Sequence, residues 1–262
     1  MAIEVFNRKE IKYLLNDDDR TALLSIIDAY MDTDPFNKDG KAYSICNLYL
    51  DTDSDELIRK SLEKPAFKEK IRLRSYGTVG LTDKVFLESK KKFDGVVNKR
   101  RTNFILKDAY KYFETGKLPQ NPVTSEGKTL KMNGQVMREI DYLMKYYNLK
   151  PKVFIAYDRW AFFEKGNSDF RLTIDTNIRS RRTDLRLDSP SYGNPLLKSG
   201  QWLMEAKAFK AFPLWFVQFL SERRLFPTSF SKYGTEYRKQ QGVASRPSPS
   251  LRVGRPLFPP LR

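Results

Sequence analysis

Along several stretches of this chain apolar and charged residues alternate with a period of two, the spacing of an extended strand whose side chains point to opposite faces. In KEKIRLRSYG, residues 68–77, Lys68, Lys70, Arg72, Arg74 and Tyr76 share one face, and Ile71 and Leu73 the other. In VFLESKKK, 85–92, Phe86, Glu88, Lys90 and Lys92 fall opposite Val85 and Leu87. The linking segment GTVGLTD carries two glycines, which predicts an antiparallel hairpin. The same alternation recurs in EVFNRKEIKYLL, where Phe6, Arg8, Glu10 and Lys12 oppose Val5, Ile11 and Tyr13. It returns in KVFIAYDRWAFFE, with Tyr157 and Arg159 on the face of Val153 and Ile155. In DFRLTIDTNIRSR, Arg171, Thr173 and Asp175 oppose Phe170, Leu172 and Ile174. In QWLMEAKAFKAF, Leu203, Glu205, Lys207 and Phe209 oppose Trp202, Met204, Ala206 and Ala208. KAYSICNLYLDTD, 41–53, reads as a largely buried strand with Cys46 as a small buried side chain. VVNKRRTNFIL alternates less cleanly because Lys99, Arg100 and Arg101 are consecutive, and one or two of them share the basic face.

Helical spacing occupies the gaps. Asn16 followed by three aspartates predicts a capped N-terminus, with Leu23, Leu24, Ile27 and Tyr30 on the buried stripe and Pro35 with Gly40 closing the segment. A short helix after Asp53 or Ser54 leads into the hairpin, and 107–115 is helical up to Gly116. PQNPVTSEG is a surface loop, and a longer helix is expected over about 128–148, ended by Pro151, with Val136, Ile140, Leu143, Met144 and Tyr147 inward. Pro213 opens another helix, followed by the polar segment FPTSFSKYGTEYRK. These helices are expected to pack outside the sheet, and Trp160, Phe162 and Phe163 to join the core. Residues 1–240 form one domain in this reading. The remaining 241–262 carry five prolines, four arginines and no acid, the composition of a disordered tail.

Composition narrows the chemistry. The net charge of +16 calls for an anionic partner. The chain has no histidine and one cysteine, which excludes Ser-His-Asp and Cys-His nucleophilic schemes, histidine-based zinc sites and disulfides. Carboxylates, lysine, arginine, tyrosine and serine remain, and a metal held by oxygen ligands would be Mg²⁺ or Mn²⁺. No apolar run approaches the roughly 20 residues of a membrane helix, and the N-terminus lacks a signal-peptide core, which predicts a cytoplasmic protein.

A solvated strand face mixes acids with bases, whereas here basic residues recur on the same face of strand after strand. The economical arrangement turns those faces inward around a polyanion. The predicted fold is α+β: a closed antiparallel β-barrel of about eight strands, with helices outside. Arginine forks match phosphate oxygens in pairs, and a tunnel so lined suits a chain of phosphates.

EIKYLL, IRLR, FLESKKK, YDRWAF, FRLTID, MEAKAF and SFSKY occur in an order that resembles the polyphosphate polymerase domain of the vacuolar transporter chaperone (VTC) family, a branch of the CYTH-like triphosphate tunnel metalloenzymes, over residues 4–239. The resemblance implies an enzyme that moves the γ-phosphate of ATP onto growing polyphosphate, using Mn²⁺ or Mg²⁺. By motif position, the phosphate-gripping residues are Lys12, Arg72, Arg74, Lys90, Arg159 and Arg171, with one of Lys99 or Arg100. Tyr157, Lys207, Ser231 and Lys232 add substrate contacts. The resemblance also implies Glu205 as the metal carboxylate, with Glu88 assisting it. ATP and polyphosphate are the expected partners, with a membrane-protein partner as in relatives that work beside membrane subunits, and no nucleic acid. Arg8 stands where related triphosphatases and cyclases carry a first glutamate, which weighs against hydrolysis. Ser229 stands where some polymerases carry a lysine. Because the chain opens at the first strand, a stand-alone domain without the inositol-phosphate sensor of eukaryotic relatives is expected. The alternatives are a tunnel triphosphatase acting on tripolyphosphate or a nucleoside triphosphate, and a non-enzymatic polyanion or nucleic-acid binder.

Overall fold

A computed structural model describes residues 9–94, 96–120, 122–124, 126–166 and 169–242. The position of Arg8, and the proline- and arginine-rich stretch beyond Gly242, lie outside the described residues. Ten strands form one sheet: β1 (Lys9–Leu15), β2 (Met31–Thr33), β3 (Tyr43–Asp51), β4 (Phe67–Tyr76), β5 (Lys84–Phe93), β6 (Val96–Ile105), β7 (Lys150–Glu164), β8 (Phe170–Arg181), β9 (Asn194–Pro195) and β10 (Trp202–Ala208). The helices are α1 (Asp17–Tyr30), α2 (Glu56–Leu62), α3 (Leu106–Thr115), α4 (Gly134–Tyr147), α5 (Leu214–Glu222) and α6 (Lys232–Gln240).

The ladder runs β1-β10-β8-β7-β3-β4-β5-β6, antiparallel throughout, with β2 on β7 and β9 on β8. This corrects the closed barrel expected from the repeating pattern: among the described residues no ladder joins β1 to β6. The sheet still curls far enough for its first and seventh strands to face each other, because the Glu10 carboxylate of β1 lies 3.7 Å from the Lys90 amine of β5. Side chains and the segment ahead of α6 span the seam: Thr228 makes a bridge with Lys12, and Lys70 donates to Ser231 Oγ at 3.0 Å.

Two apolar layers clothe the outside of the curl. Leu48, Leu73, Leu87 and Phe104 pack under Ala109 and Tyr112 of α3 and under Val136, Met137, Ile140 and Leu143 of α4. Tyr13, Leu172, Ile174, Met204 and Ala206 pack against Leu23 and Ile27 of α1 and Phe216 and Phe219 of α5. Period-two alternation explains both layers, since each strand sends one side-chain set outward to helices and the other inward. A third cluster, with Val153, Ile155, Leu203, Ile58 and Tyr233, belongs partly to the inner face and closes one end of it against α2 and α6.

The local signals hold at α1 and shift at α2, α4 and α6. Asn16 caps α1 with a full capping box, its side chain accepting from Asp19 N while Asp19 reaches back to Asn16 N. For α2, neither Asp53 nor Ser54 caps: Asp51 accepts from Leu57 N and Ile58 N and also from the Tyr233 hydroxyl, and Thr52 Oγ1 accepts from Glu56 N. The long helix starts at Gly134 rather than near 128, and left-handed Asn148 ends it, so Pro151 lies inside β7. The polar SFSKY segment opens α6, capped by Ser231.

Candidate functional site

The concave face gathers charges from seven strands and one helix N-terminus. β4 and β5 supply Lys70, Arg72, Arg74, Glu88 and Lys90, held in register by the pairs Lys70↔Lys90 and Arg72↔Glu88. β7 and β8 supply Tyr157, Arg159, Arg171 and Asp175, with Arg159 opposite Asp175. β1 and β10 supply Glu10, Lys12, Glu205 and Lys207, with Lys12 opposite Glu205 and Glu10 opposite Lys207. β6 adds Lys99, and α6 adds Lys232.

Three carboxylate centres hold these cations in place. Glu88 accepts from Arg72 Nε at 2.9 Å and pairs with Lys99 at 2.9 Å and Arg74 at 3.7 Å. Asp175, fully buried, receives both prongs of the Arg159 fork at 2.6 and 2.8 Å and Lys232 Nζ at 2.6 Å. Glu205 pairs with Lys207 at 2.6 Å and Lys12 at 3.6 Å, and Glu10 lies 3.5 Å from Lys207 and 3.6 Å from Lys12. Hydroxyl and amide groups complete the arginine shells: Arg72 donates to the Tyr49 hydroxyl at 3.0 Å, and Arg74 to Asn47 Oδ1 at 3.0 Å and the Tyr157 hydroxyl at 3.3 Å.

The electrostatics follow. Burial raises the Glu205 and Asp175 carboxyls, but Lys207 and Lys12 for the first, and Arg159 and Lys232 for the second, outweigh it and hold both acids below the usual range. Burial likewise opposes ionisation of Tyr157, yet Arg74, Arg159 and Lys232 bring its hydroxyl down to about 8. Lys70 behaves oppositely: burial, reinforced by Lys12 and Lys90, lowers it to about 8, and its hydrogen bond to Ser231 offers no countercharge. Burial and two nearby arginines also lower Lys99 to about 8, against the pull of Glu88. With Lys12, Lys70, Arg72, Arg74, Lys90, Lys99, Arg159, Arg171, Lys207 and Lys232 on this face, and Glu10, Glu88, Asp175, Glu205 and Asp34 as their acids, at least ten cations face these five carboxylates among the described residues. A half-buried surplus of positive charge is costly unless an anion completes it.

Of the sequence-predicted residues, Lys12, Arg72, Arg74, Lys90, Lys99, Tyr157, Arg159, Lys207, Lys232, Glu88 and Glu205 converge on this face. Arg171 stands at its rim, 3.6 Å from Asp34 and stacked 4.5 Å from the Phe163 ring centroid. Arg100 does not join: it leaves the opposite side of β6 and donates to Glu139 of α4 at 2.8 Å, so Lys99 is the inward member of the pair. Ser231 caps α6 and receives Lys70. Sequence reading left Asp175, Glu10, Lys70 and Tyr49 without roles. Their faces were legible, since Asp175 alternates with Arg171 and Lys70 with Arg72, but their partners are set by strand pairing, Asp175 with Arg159 and Tyr49 with Arg72, and by contacts beyond the neighbouring strand, Glu10 with Lys90 and Lys70 with Ser231.

Among the described residues no three His, Cys, Asp or Glu side chains are placed to share a metal ion. Glu10 and Glu205 form a pair of carboxylates both within 3.6 Å of Lys12, and two carboxylates plus substrate phosphates match the way Mg²⁺ is held. Glu88 is engaged by three cations, Arg72, Arg74 and Lys99.

The VTC domain family profile matches residues 7–240. The chain is 25% identical over 194 residues to vacuolar transporter chaperone complex subunit 4 of Schizosaccharomyces pombe, an alignment that takes in 68% of this chain and 27% of that protein. The chain thus spans about a quarter of the length of that relative. Among solved structures it resembles a candidate adenylate cyclase from Bacillus halodurans, with 14% identity, 95% of each chain covered and a TM-score of 0.45. It also resembles a protein from Pyrococcus horikoshii, with 12% identity, 88% of this chain and 99% of that chain covered and a TM-score of 0.46. Among the described residues no helix is long and apolar enough to cross a membrane.

Proposed function

Because this chain belongs to the VTC domain family, we propose that it is a phosphotransferase that moves the γ-phosphate of ATP onto the end of a polyphosphate chain held in the basic trough. The observation that carries this reading is the surplus of cations on a concave face whose arginines are already fixed by Glu88, Asp175, Asn47 and Tyr49.

Phosphoryl transfer asks little covalent help of a protein and much electrostatic positioning. Arg72, Arg74 and Arg159 are pre-oriented, so they need not reorganise as negative charge shifts from the γ-phosphoryl group toward the leaving ADP. A terminal phosphate oxygen of the acceptor chain attacks the γ-phosphorus, the bond from that phosphorus to the β,γ-bridging oxygen breaks, and ADP departs with its electron pair. The nucleophile is already anionic, which suits a site without histidine. Glu10 and Glu205 would hold a Mg²⁺ or Mn²⁺ ion, which supplies charge neutralisation of the phosphates when bound. A membrane-protein partner that takes up the product belongs to the same proposal.

A second reading, hydrolysis in the same trough, draws on the Glu10 and Glu205 pair, which could orient a water. One assay separates the two. Protein is incubated with ATP and Mn²⁺, ADP and free phosphate are followed separately, and the product is run on a gel that resolves polyphosphate. ADP with a ladder and little free phosphate is expected. ADP matched by free phosphate would convert the reading to a triphosphatase. Absence of turnover with any triphosphate and divalent metal would leave a polyanion binder.

A further inference from the structure

The charged wall ends in a cluster of aromatic rings, two exposed and two half-buried, that the phosphate chemistry does not use. Along β4 the inward side chains run Lys70, Arg72, Arg74, Tyr76, and along the register-matched β5 they run Lys90, Glu88, Phe86. Tyr76 therefore lies about 7 Å beyond Arg74 on the same face. Phe36 and Tyr43 complete the cluster. The Phe36 and Tyr76 rings are within 12° of parallel at 6.4 Å, Tyr43 lies 6.1 Å from Tyr76, and Phe86 meets Tyr76 edge-on at 5.9 Å. Phe36 is 75% and Tyr76 49% exposed, an unusual amount of neighbouring aromatic surface to leave in water.

The turn that carries Phe36 is fixed although its ring is free. Asp34 N donates to Ala161 O and its carboxylate accepts from Phe36 N, while the Asn37 amide binds Arg159 O, Lys41 O and Ala161 N. The same Asp34 pairs with Arg171, so the turn is tied to the phosphate wall on one side and to β7 on the other. Arg101 lies 4.7 Å over the Phe86 ring, placing a cation at the edge of the cluster.

We propose that this aromatic mouth is a stacking subsite for the nucleobase of the donor nucleotide, with Phe36 and Tyr76 as its two faces. The inference rests on the proposal that ATP is the donor. It follows from position: a triphosphate lying along Arg72 and Arg74 carries its base past Arg74, toward Tyr76. A ring inserted between two others needs about 7 to 8 Å from face to face, so Phe36 moves outward to admit it, which its exposure permits. Stacking of this kind accepts any base because every base has a π-face, so ATP and GTP should bind alike.

The test compares ATP with inorganic tripolyphosphate, which has the phosphates and no base, by titration calorimetry on the parent protein and on Tyr76→Ala, Phe36→Ala and Tyr76→Phe. The ATP dissociation constant should rise about 5- to 100-fold in the two alanine variants. Tripolyphosphate affinity should stay within about twofold, and Tyr76→Phe should retain the parent preference. If ATP and tripolyphosphate weaken in parallel, or ATP affinity does not change, the base subsite is refuted while the phosphate trough stands. If the parent binds neither anion, both readings fall.

Discussion

Asp175→Asn tests whether the buried acids exist to hold arginines for an anion. Asp175 is fully buried, accepts the bidentate Arg159 fork at 2.6 and 2.8 Å, and takes Lys232 at 2.6 Å. Asparagine keeps the shape and one acceptor oxygen but removes the charge, leaving Arg159 and Lys232 in a desolvated pocket without their counter-ion. Removing one partner of a buried pair costs about 3 to 5 kcal/mol, and the surviving hydrogen bond places this change near 3. For a chain of this size that lowers Tm by roughly 6 to 12 °C. The same change raises the positive surplus, so a bound polyanion should restore what the substitution removed. At a tripolyphosphate concentration 100 times Kd the gain is about 2.7 kcal/mol, and at equal concentration the variant should gain more than the parent. Thermal melts with and without tripolyphosphate measure both quantities. A variant that melts within 2 °C of the parent, or that gains no more from the ligand, would refute the argument that Asp175 holds Arg159 and Lys232 for an anion.

Three further outcomes follow from the same geometry. Lys70 and Lys99, lowered to about 8 by burial, are cationic below that pH, and a bound phosphate favours their charged forms; binding therefore takes up protons, and tripolyphosphate affinity should fall as pH rises from 7 to 9, with Lys70→Met flattening the dependence in a titration series. Glu205→Gln should leave the protein folded and cut metal-dependent turnover at least about 100-fold in the ADP assay, because one of the two carboxylates available to a divalent ion is gone; full activity would overturn the metal assignment. Arg100→Ala, which removes a partly exposed pair with Glu139 outside the sheet, should change tripolyphosphate affinity less than twofold and stability by no more than about 1 kcal/mol.

The sequence by itself determined which residues share a strand face. Alternation is a property of the extended backbone and needs no partner, so the inward sets Lys70-Arg72-Arg74, Tyr157-Arg159, Arg171-Asp175 and Glu205-Lys207 could be read directly, as could the Asn16 cap and the Gly116 stop. Where three basic residues are consecutive the alternation carries no phase, and only pairing with β5 turned Lys99 toward Glu88 and Arg100 toward α4. The cap of α2 was misread for a related reason: Asp51 lies far enough back in β3 that it reaches Leu57 N and Ile58 N only after the chain has folded over it. Strand order, the open seam between β1 and β6, and the pairing of Asp175 with Lys232 across 57 positions were decided by tertiary structure alone. The reason is that local periodicity fixes the direction of a side chain, whereas the identity of its partner depends on how far the whole sheet twists and curls, a sum over all its strands.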